Sequence, residues 1–113
     1  PNKDIIVRFE RLLDEYFDSK APQEIGLPTV KYFAEQVYLS PNYFGDMIRK
    51  QTGMTVSEHI QKKLIARAKE LLLSTSKSMS EIAYSLGFQY PQHMSRMFKR
   101  VVGCTPNDFR LRE

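Results

Sequence analysis

The sequence predicts an all-α protein in which two helix-turn-helix subdomains are joined by a long linker helix, with about seven helices in total. Two observations predict this fold class. Apolar residues recur at spacings of three and four along most of the chain, and one short two-helix pattern occurs twice. The predicted organisation is an N-terminal amphipathic helix and loop over residues 1–28, a first helix-turn-helix over 29–54, the linker helix over 55–76 and a second helix-turn-helix over 77–113.

The first predicted element is an amphipathic helix over residues 3–18. Its apolar side chains recur at helical spacing, whereas Glu10, Asp14 and Glu15 lie elsewhere around the helix. We expect this helix to pack behind the first helix-turn-helix. Residues 20–28 contain two prolines and a glycine, so they are predicted to form a loop.

The first helix-turn-helix is predicted to begin at Thr29. Ser40 and Pro41 mark the start of its second helix, because Ser accepts backbone N–H bonds as an N-cap and Pro fits the first helical turn. Gly53 suits the left-handed cap that ends this helix. The apolar positions of the two helices are Val30, Phe33, Ala34, Val37, Phe44, Met47 and Ile48.

The linker helix is predicted to run from about Val56 to about Ser74. Thr55 and Glu58 have the spacing of a capping box at its start. About nineteen residues, at roughly 1.5 Å each, give a rod of roughly 28 Å.

The second helix-turn-helix opens with Ser78 and Glu81, which again have the capping-box spacing. Gly87 separates its two helices, and Pro91 starts the second helix near Tyr90. The first helix of each unit matches the other at an offset of 49 residues, and the second at an offset of 50. The two units are therefore predicted to be copies of one arrangement, in which the second helix lies in a DNA major groove.

Charge is unevenly distributed along the chain, whose formal net charge is +4. Residues 1–28 carry four basic and six acidic side chains, which leaves thirteen basic and seven acidic side chains in the remainder. A positive domain is what phosphate neutralisation requires, although a balance of this size also serves solubility. The acidic first helix would be repelled by phosphate, so we expect it not to contact DNA.

Cysteine use and hydropathy predict a soluble, cytoplasmic protein, and DNA binding would make it nucleoid-associated. Cys104 is the single cysteine, so an internal disulfide cannot form, which fits a reducing compartment. No apolar run approaches the length needed to cross a bilayer, and no membrane partner is expected. The chain starts at Pro1 and not at Met, which predicts a fragment of a longer protein.

Residues 80–110 carry a resemblance to a known family. The order I-A-x-x-x-G-F, a turn, and then x-x-R-x-F-K-x-x-x-G-x-T-P-x-x-F-R resembles the second helix-turn-helix of the AraC/XylS family of bacterial transcription regulators. Met94 stands where the family usually has Phe, a swap that a core tolerates. The resemblance extends over roughly residues 29–112. The matching residues are Ile82, Ala83, Gly87, Phe88, Arg96, Phe98, Lys99, Gly103, Thr105, Pro106, Phe109 and Arg110.

The resemblance implies the DNA-binding domain of a transcription regulator, with no enzymatic activity and no cofactor. Its partners would be double-stranded DNA and RNA polymerase, with activation the favoured outcome. A sensing or dimerisation domain would lie outside this chain. Half-sites on one face of DNA lie roughly 34 Å apart, so the linker rod of roughly 28 Å predicts that two adjacent major grooves are read.

In the second unit, Gln92, His93 and Arg96 occupy positions that resemble the base-contacting residues of the family. Arg can bond guanine through O6 and N7, and Gln can bond adenine through N6 and N7. For His93, two interpretations stand equally: its imidazole contacts a base, or it is simply solvated. Lys99 and Arg100, further along the helix, are predicted to contact phosphate.

In the first unit the matching positions are Asn42, Gly45 and Asp46, where the family often has larger or basic side chains. Asn42 can read adenine, and Asp46 can accept from cytosine N4 but also repels phosphate. Gly45 costs roughly 1 kcal/mol relative to Ala inside a helix, which close approach to the DNA backbone would explain. Loose binding through phosphates alone stays open, so we expect the second unit to discriminate bases more. The predicted phosphate contacts of this helix are Ser40, Arg49 and Lys50.

Two other classes of protein fit the sequence less well. An enzyme would need Cys104 as a nucleophile, but no His lies near it in the sequence. One Cys and two His residues also lack the spacing of a zinc site. A non-catalytic helical protein-interaction module is the alternative function, with contact area supplied by Tyr32, Tyr38, Tyr43 and Tyr90.

Overall fold

The structure, a computed structural model, describes residues 2–112 of the chain. Over these residues it contains eight α-helices and no strand, which confirms the predicted all-α class. Within that range no helix combines the length and the apolar character that a bilayer crossing needs. The helices are α1 (Asn2–Asp18), α2 (Ala21–Glu24), α3 (Val30–Gln36), α4 (Pro41–Thr52), α5 (Val56–Ser74), α6 (Met79–Ser85), α7 (Pro91–Val102) and α8 (Pro106–Arg112).

The prediction of a loop over residues 20–28 was wrong in part, because the single-turn helix α2 forms inside it. Pro22 lies in the first turn of α2, where the missing N–H leaves no bond unmade. The Ile25 N–H donates to the Ala21 carbonyl at 2.7 Å and closes the turn. Pro22 is buried, and α2 packs against α6.

The chain divides into two compact units. Among the described residues, unit 1 contains residues 2–20 together with Pro28–Lys63, and unit 2 contains Ala21–Leu27 together with residues 64–112. Helix α5 begins in unit 1 and ends in unit 2.

Unit 1 is built on an aromatic cluster that joins α1 to the first helix-turn-helix. The ring of Phe9 lies edge-on to Phe33 at 5.3 Å and to Phe44 at 5.4 Å between centroids, and all three are buried. Burial of one such ring stabilises the fold by about 1.5–3 kcal/mol. Helix α1 therefore packs against α3 and α4 of the first helix-turn-helix, through the apolar side that its periodicity predicted.

Polar contacts complete unit 1. Thr52 Oγ1 lies 2.8 Å from Nε2 of His59, and partial burial lowers the pKa of the His59 imidazole. Lys63 Nζ lies 2.6 Å from Asp14 Oδ1, so this basic side chain of α5 is directed at α1.

Unit 2 has its own core between α6, α7 and α8. Ile82, Met94 and Phe98 are fully buried, and the ring of Phe98 lies edge-on to Phe109 at 5.5 Å. Arg110 donates from Nε to the Leu72 carbonyl at 2.8 Å and from a terminal nitrogen to the Thr75 carbonyl at 3.3 Å. These carbonyls lie at the C-terminal end of α5, where no further helical N–H groups are available to donate to them. Arg110 therefore supplies the donors that they lack.

The predicted helix starts carry the expected hydrogen bonds. Ser78 Oγ accepts from the Glu81 N–H at 3.1 Å, and Glu81 Oε1 accepts from the Ser78 N–H at 2.9 Å. Thr55 and Glu58 make the same reciprocal pair at 3.0 and 2.9 Å. Donation by Ser78 lowers the pKa of the Glu81 carboxyl, and donation by Thr55 lowers the pKa of the Glu58 carboxyl. Both capping boxes are thereby confirmed.

The turn between the two helices has the same hydrogen bonds in both units. In unit 1 the N–H groups of Tyr38 and Leu39 donate to carbonyls of α3 at 3.1 and 3.0 Å, and in unit 2 those of Gly87 and Phe88 donate to matching carbonyls of α6 at the same distances. This Schellman arrangement places the residue after the helix at positive φ. The angle is 102° at Gly87 and 60° at Tyr38. At Tyr38 the left-handed conformation costs about 1–2 kcal/mol, because the residue has a Cβ.

Gly87 is also fixed by close approach of another stretch of backbone. A Cβ built on Gly87 would lie 2.7 Å from the carbonyl carbon of Gly26 and 2.9 Å from the backbone nitrogen of Leu27. No side chain fits there, so the loop after α2 lies directly on the turn of the second helix-turn-helix.

Candidate nucleic-acid interface

The second helix of each unit, α4 in unit 1 and α7 in unit 2, has the same local construction. Both are twelve residues long, begin with Pro and have two basic residues in the last turn. Each ends at a glycine with positive φ, Gly53 at 79° and Gly103 at 97°. The apolar side of each helix is buried in its own unit, which leaves the other side free to meet a ligand.

On α7 the predicted base readers lie away from the buried side. Gln92, His93 and Arg96 are exposed, whereas Met94 and Phe98 are fully buried. This division follows from helical spacing, because positions 92 and 96 are one turn apart and positions 94 and 98 occupy the opposite side. The predicted phosphate contacts are exposed in the last turn, where positive charge also suits the helix dipole; they are Lys99 and Arg100.

His93 has a specific neighbour at the start of α7. Its ring lies edge-on to the ring of Tyr90, with centroids 5.4 Å apart, and its backbone N–H donates to the Tyr90 carbonyl at 3.0 Å. The imidazole is exposed and lies against the Tyr90 ring. Tyr90 is the N-cap residue of α7, but its side chain makes no capping hydrogen bond. The start of the helix is therefore marked by Pro91, which fits the first helical turn.

On α4 the predicted readers form a less basic surface. Asn42 and Asp46 are exposed, and Gly45 is half-buried, with no atom within 4 Å of the position that a Cβ would take. Asp46 Oδ1 lies 3.9 Å from a terminal nitrogen of Arg49, and both side chains are well exposed. Such a pair contributes little to stability, but it offsets one of the positive charges on this helix. Lys50 is exposed in the same turn.

Ser40, predicted to contact phosphate, is the N-cap of α4. Its Oγ accepts from the Tyr43 N–H at 3.2 Å, as the Ser-Pro start signal predicted. Ser40 itself is exposed. Because the cap uses an oxygen lone pair, the hydroxyl proton can still be donated to an anion.

Tyr43 was missed as a candidate base contact when only the sequence was considered. The offset of 50 residues that relates the second helices pairs Tyr43 with His93, whereas Gly45 pairs with Ser95. Tyr43 is exposed on α4. Ser95 is half-buried and donates to the sulfur of Met79 at 3.3 Å, so it is directed at α6. The repeat itself was the signal that could have identified Tyr43.

Comparisons with known proteins agree with this arrangement. A family model described as a helix-turn-helix domain matches residues 33–112. The HTH-type transcriptional activator RhaR of Enterobacter sp. (strain 638) is 34% identical over 103 residues, which cover 91% of this chain and 36% of that protein. The C-terminal domain of AraT, a response regulator from Geobacillus stearothermophilus, is 28% identical with a TM-score of 0.84, covering 96% of this chain and 85% of that chain.

A structure of a protein–DNA complex has the same fold. The DNA-binding domain of AdpA, a global transcriptional factor, was solved in complex with a target DNA. It is 22% identical with a TM-score of 0.77, covering 98% of this chain and 90% of that chain. This chain spans only 26–36% of the length of three curated relatives that it matches, two RhaR proteins and YesN.

Two helix-turn-helix units, each with a second helix that is apolar on one side and polar and basic on the other, define a DNA-binding protein. The chain belongs to the AraC-type helix-turn-helix family of bacterial transcription regulators, as the sequence resemblance predicted. It is a DNA-binding domain of that type.

Proposed function

We propose that this chain reads two adjacent major grooves of double-stranded DNA in a sequence-specific manner, with α4 entering one groove and α7 the next. The observation that supports this most directly is the repeated construction of these helices. Each begins with Pro, buries one side and has two basic residues in its last turn. A major groove admits a helix of this kind, and base edges are read by the side chains of its exposed side.

The proposed base contacts differ in strength between the units. On α7, Gln92 and Arg96 supply bidentate hydrogen-bonding groups, with His93 beside them. On α4, Asn42 reads adenine and Asp46 accepts from cytosine, at the cost of repelling phosphate. The proposed phosphate contacts are Ser40, Arg49, Lys50, Lys99 and Arg100.

The role of the whole protein is also a proposal. We propose that it activates transcription through contact with RNA polymerase, under the control of a sensing or dimerisation domain outside this chain. We place it in the cytoplasm, associated with the nucleoid. Support comes from the relative RhaR, which is named a transcriptional activator and of which this chain matches 36%.

Selection of bound duplexes from a random DNA pool, followed by footprinting, tests the proposed reading. We expect an enriched sequence with two protected major grooves one helical turn apart on one face of the duplex. A pure protein-interaction module would enrich no sequence and would show no salt-dependent binding. Tyr32 already packs edge-on against Tyr16 at 5.1 Å and is half-buried, which reduces the aromatic surface available to such a module.

Lys99→Ala should weaken binding to the selected duplex and to random DNA alike. A phosphate contact carries no sequence information, and its loss should reduce the slope of log K against log salt by about one unit. Fluorescence anisotropy at several salt concentrations measures the slope. Lys3→Ala removes a positive charge from α1 and should leave the slope unchanged. An unaltered slope for Lys99→Ala would remove Lys99 from the phosphate contacts.

Gly45→Ala should stabilise the free protein and weaken its binding to DNA. Helix propensity favours Ala by about 0.5–1 kcal/mol, and the added methyl group meets no protein atom within 4 Å. In the complex the same methyl group would lie between α4 and the DNA backbone, at the point where we propose that they come closest. Thermal unfolding and anisotropy measure the two effects. Higher stability with unchanged affinity would show that Gly45 does not approach the duplex.

A further inference from the structure

Tyr38 combines two properties that stability alone does not explain. Among residues 2–112, Tyr38 is the single residue other than glycine whose φ angle is positive. The residue is 87% exposed, so it buries little apolar surface. Within residues 2–112 no hydrogen bond, ion pair or ring contact involves that side chain.

The second unit shows what the turn needs for folding. The turn hydrogen bonds are the same in both units, and Gly87 occupies the position that Tyr38 occupies in unit 1. Glycine adopts positive φ without strain. An exposed Tyr in the left-handed conformation therefore lowers stability relative to Gly and gains nothing from the rest of the chain. A contact outside the chain would account for its presence.

The location of Tyr38 indicates the kind of contact. It lies two residues before Ser40, the N-cap of α4. In a docked helix-turn-helix the first helix crosses the DNA backbone and the second enters the groove. The turn between them consequently lies at the edge of the groove, where the sugar-phosphate strand runs. Tyr hydroxyls are among the groups that donate hydrogen bonds to phosphate oxygens.

We propose that Tyr38 is a DNA-contacting residue whose phenolic hydroxyl donates a hydrogen bond to a backbone phosphate beside the groove that α4 enters. This inference rests on the proposed function, since it needs α4 in a groove. The contact positions unit 1 on the duplex without reading a base. Because the phenol is neutral, it adds affinity without releasing a counterion, unlike Lys99.

Three substitutions at Tyr38 test the proposal against the parent chain, with the duplex selected by the parent and a random duplex of equal length as probes. Tyr38→Phe keeps the ring and should bind both duplexes about tenfold more weakly with an unchanged salt slope. Tyr38→Gly should bind at least as weakly, while its Tm rises by about 4 °C through relief of strain. Tyr38→Asn, which tolerates positive φ but is too short to reach the phosphate, should follow Tyr38→Gly.

The outcomes separate this inference from the proposed function. If Tyr38→Phe binds both duplexes as tightly as the parent, the hydroxyl does not contact phosphate and the inference is overturned. If Tyr38→Gly gains no stability, the strain on which the inference depends is absent, which also overturns it. If the parent chain itself binds neither duplex in a salt-dependent way, the proposed function fails, and the inference that rests on it fails with it.

Discussion

Arg96→Ala is expected to weaken binding to the selected duplex by about 1–3 kcal/mol, roughly 5- to 150-fold, with a much smaller loss on random DNA. Arg96 is exposed on α7, one turn after the exposed Gln92. A guanidinium at this position can bond guanine through O6 and N7 at once. Anisotropy with both duplexes measures the two losses.

Arg96→Lys is the matched control for charge. Lys keeps the positive charge but lacks the planar fork that makes two parallel hydrogen bonds. Affinity for the selected duplex should therefore fall, while affinity for random DNA and the salt slope stay at the parent values. Equal losses on both duplexes for Arg96→Ala would remove Arg96 from the base readers and assign it to phosphate. Thermal unfolding of each variant separates a binding effect from a loss of fold.

Gly87→Ala is expected to destabilise the protein by roughly 2–5 kcal/mol. The positive φ costs about 1–2 kcal/mol once a Cβ is present, and forcing a methyl group into a packed contact costs about 1–3 kcal/mol more. The new Cβ would lie 2.7 Å from the carbonyl carbon of Gly26, so the loop after α2 must move. Stability of small domains totals about 5–15 kcal/mol, which makes this a large fraction. Denaturant unfolding measures the loss.

Gly103→Ala distinguishes strain from close approach. Gly103 has a φ of 97°, similar to the 102° of Gly87, but nothing lies within 4 Å of its Cβ position. Its substitution should therefore cost only the conformational part, about 1–2 kcal/mol. If the two variants lose equal stability, the loop after α2 does not press on the turn. Faster hydrogen exchange of the Gly26 N–H, which donates to the Pro22 carbonyl at 3.0 Å, would report displacement of the loop in Gly87→Ala alone.

The candidate interface was predictable to the extent that it depends on spacing within one helix. Helical periodicity placed Gln92 on the exposed side of α7 and Phe98 in the core, and both predictions agree with the structure. The pairing of Asp46 with Arg49 was not predicted, although the two residues are only three apart. Which rotamers two exposed side chains adopt depends on weak energies that sequence does not specify.

Elements that depend on neighbours a few residues apart were predictable from the sequence alone. The cap at Ser40, the capping box of Ser78 and Glu81 and the repeated helix pair all follow from such local hydrogen bonds and from periodic burial. Three features could be seen only in the folded chain: a turn of helix forms after Lys20, Gly26 lies against Gly87, and one of two equivalent turns carries its strain on an exposed tyrosine. The first two features depend on contact between segments about sixty residues apart in the chain, which no local pattern encodes. The third is visible only in the hydrogen bonds of the turn, because a tyrosine, unlike a glycine, gives no sequence signal for positive φ.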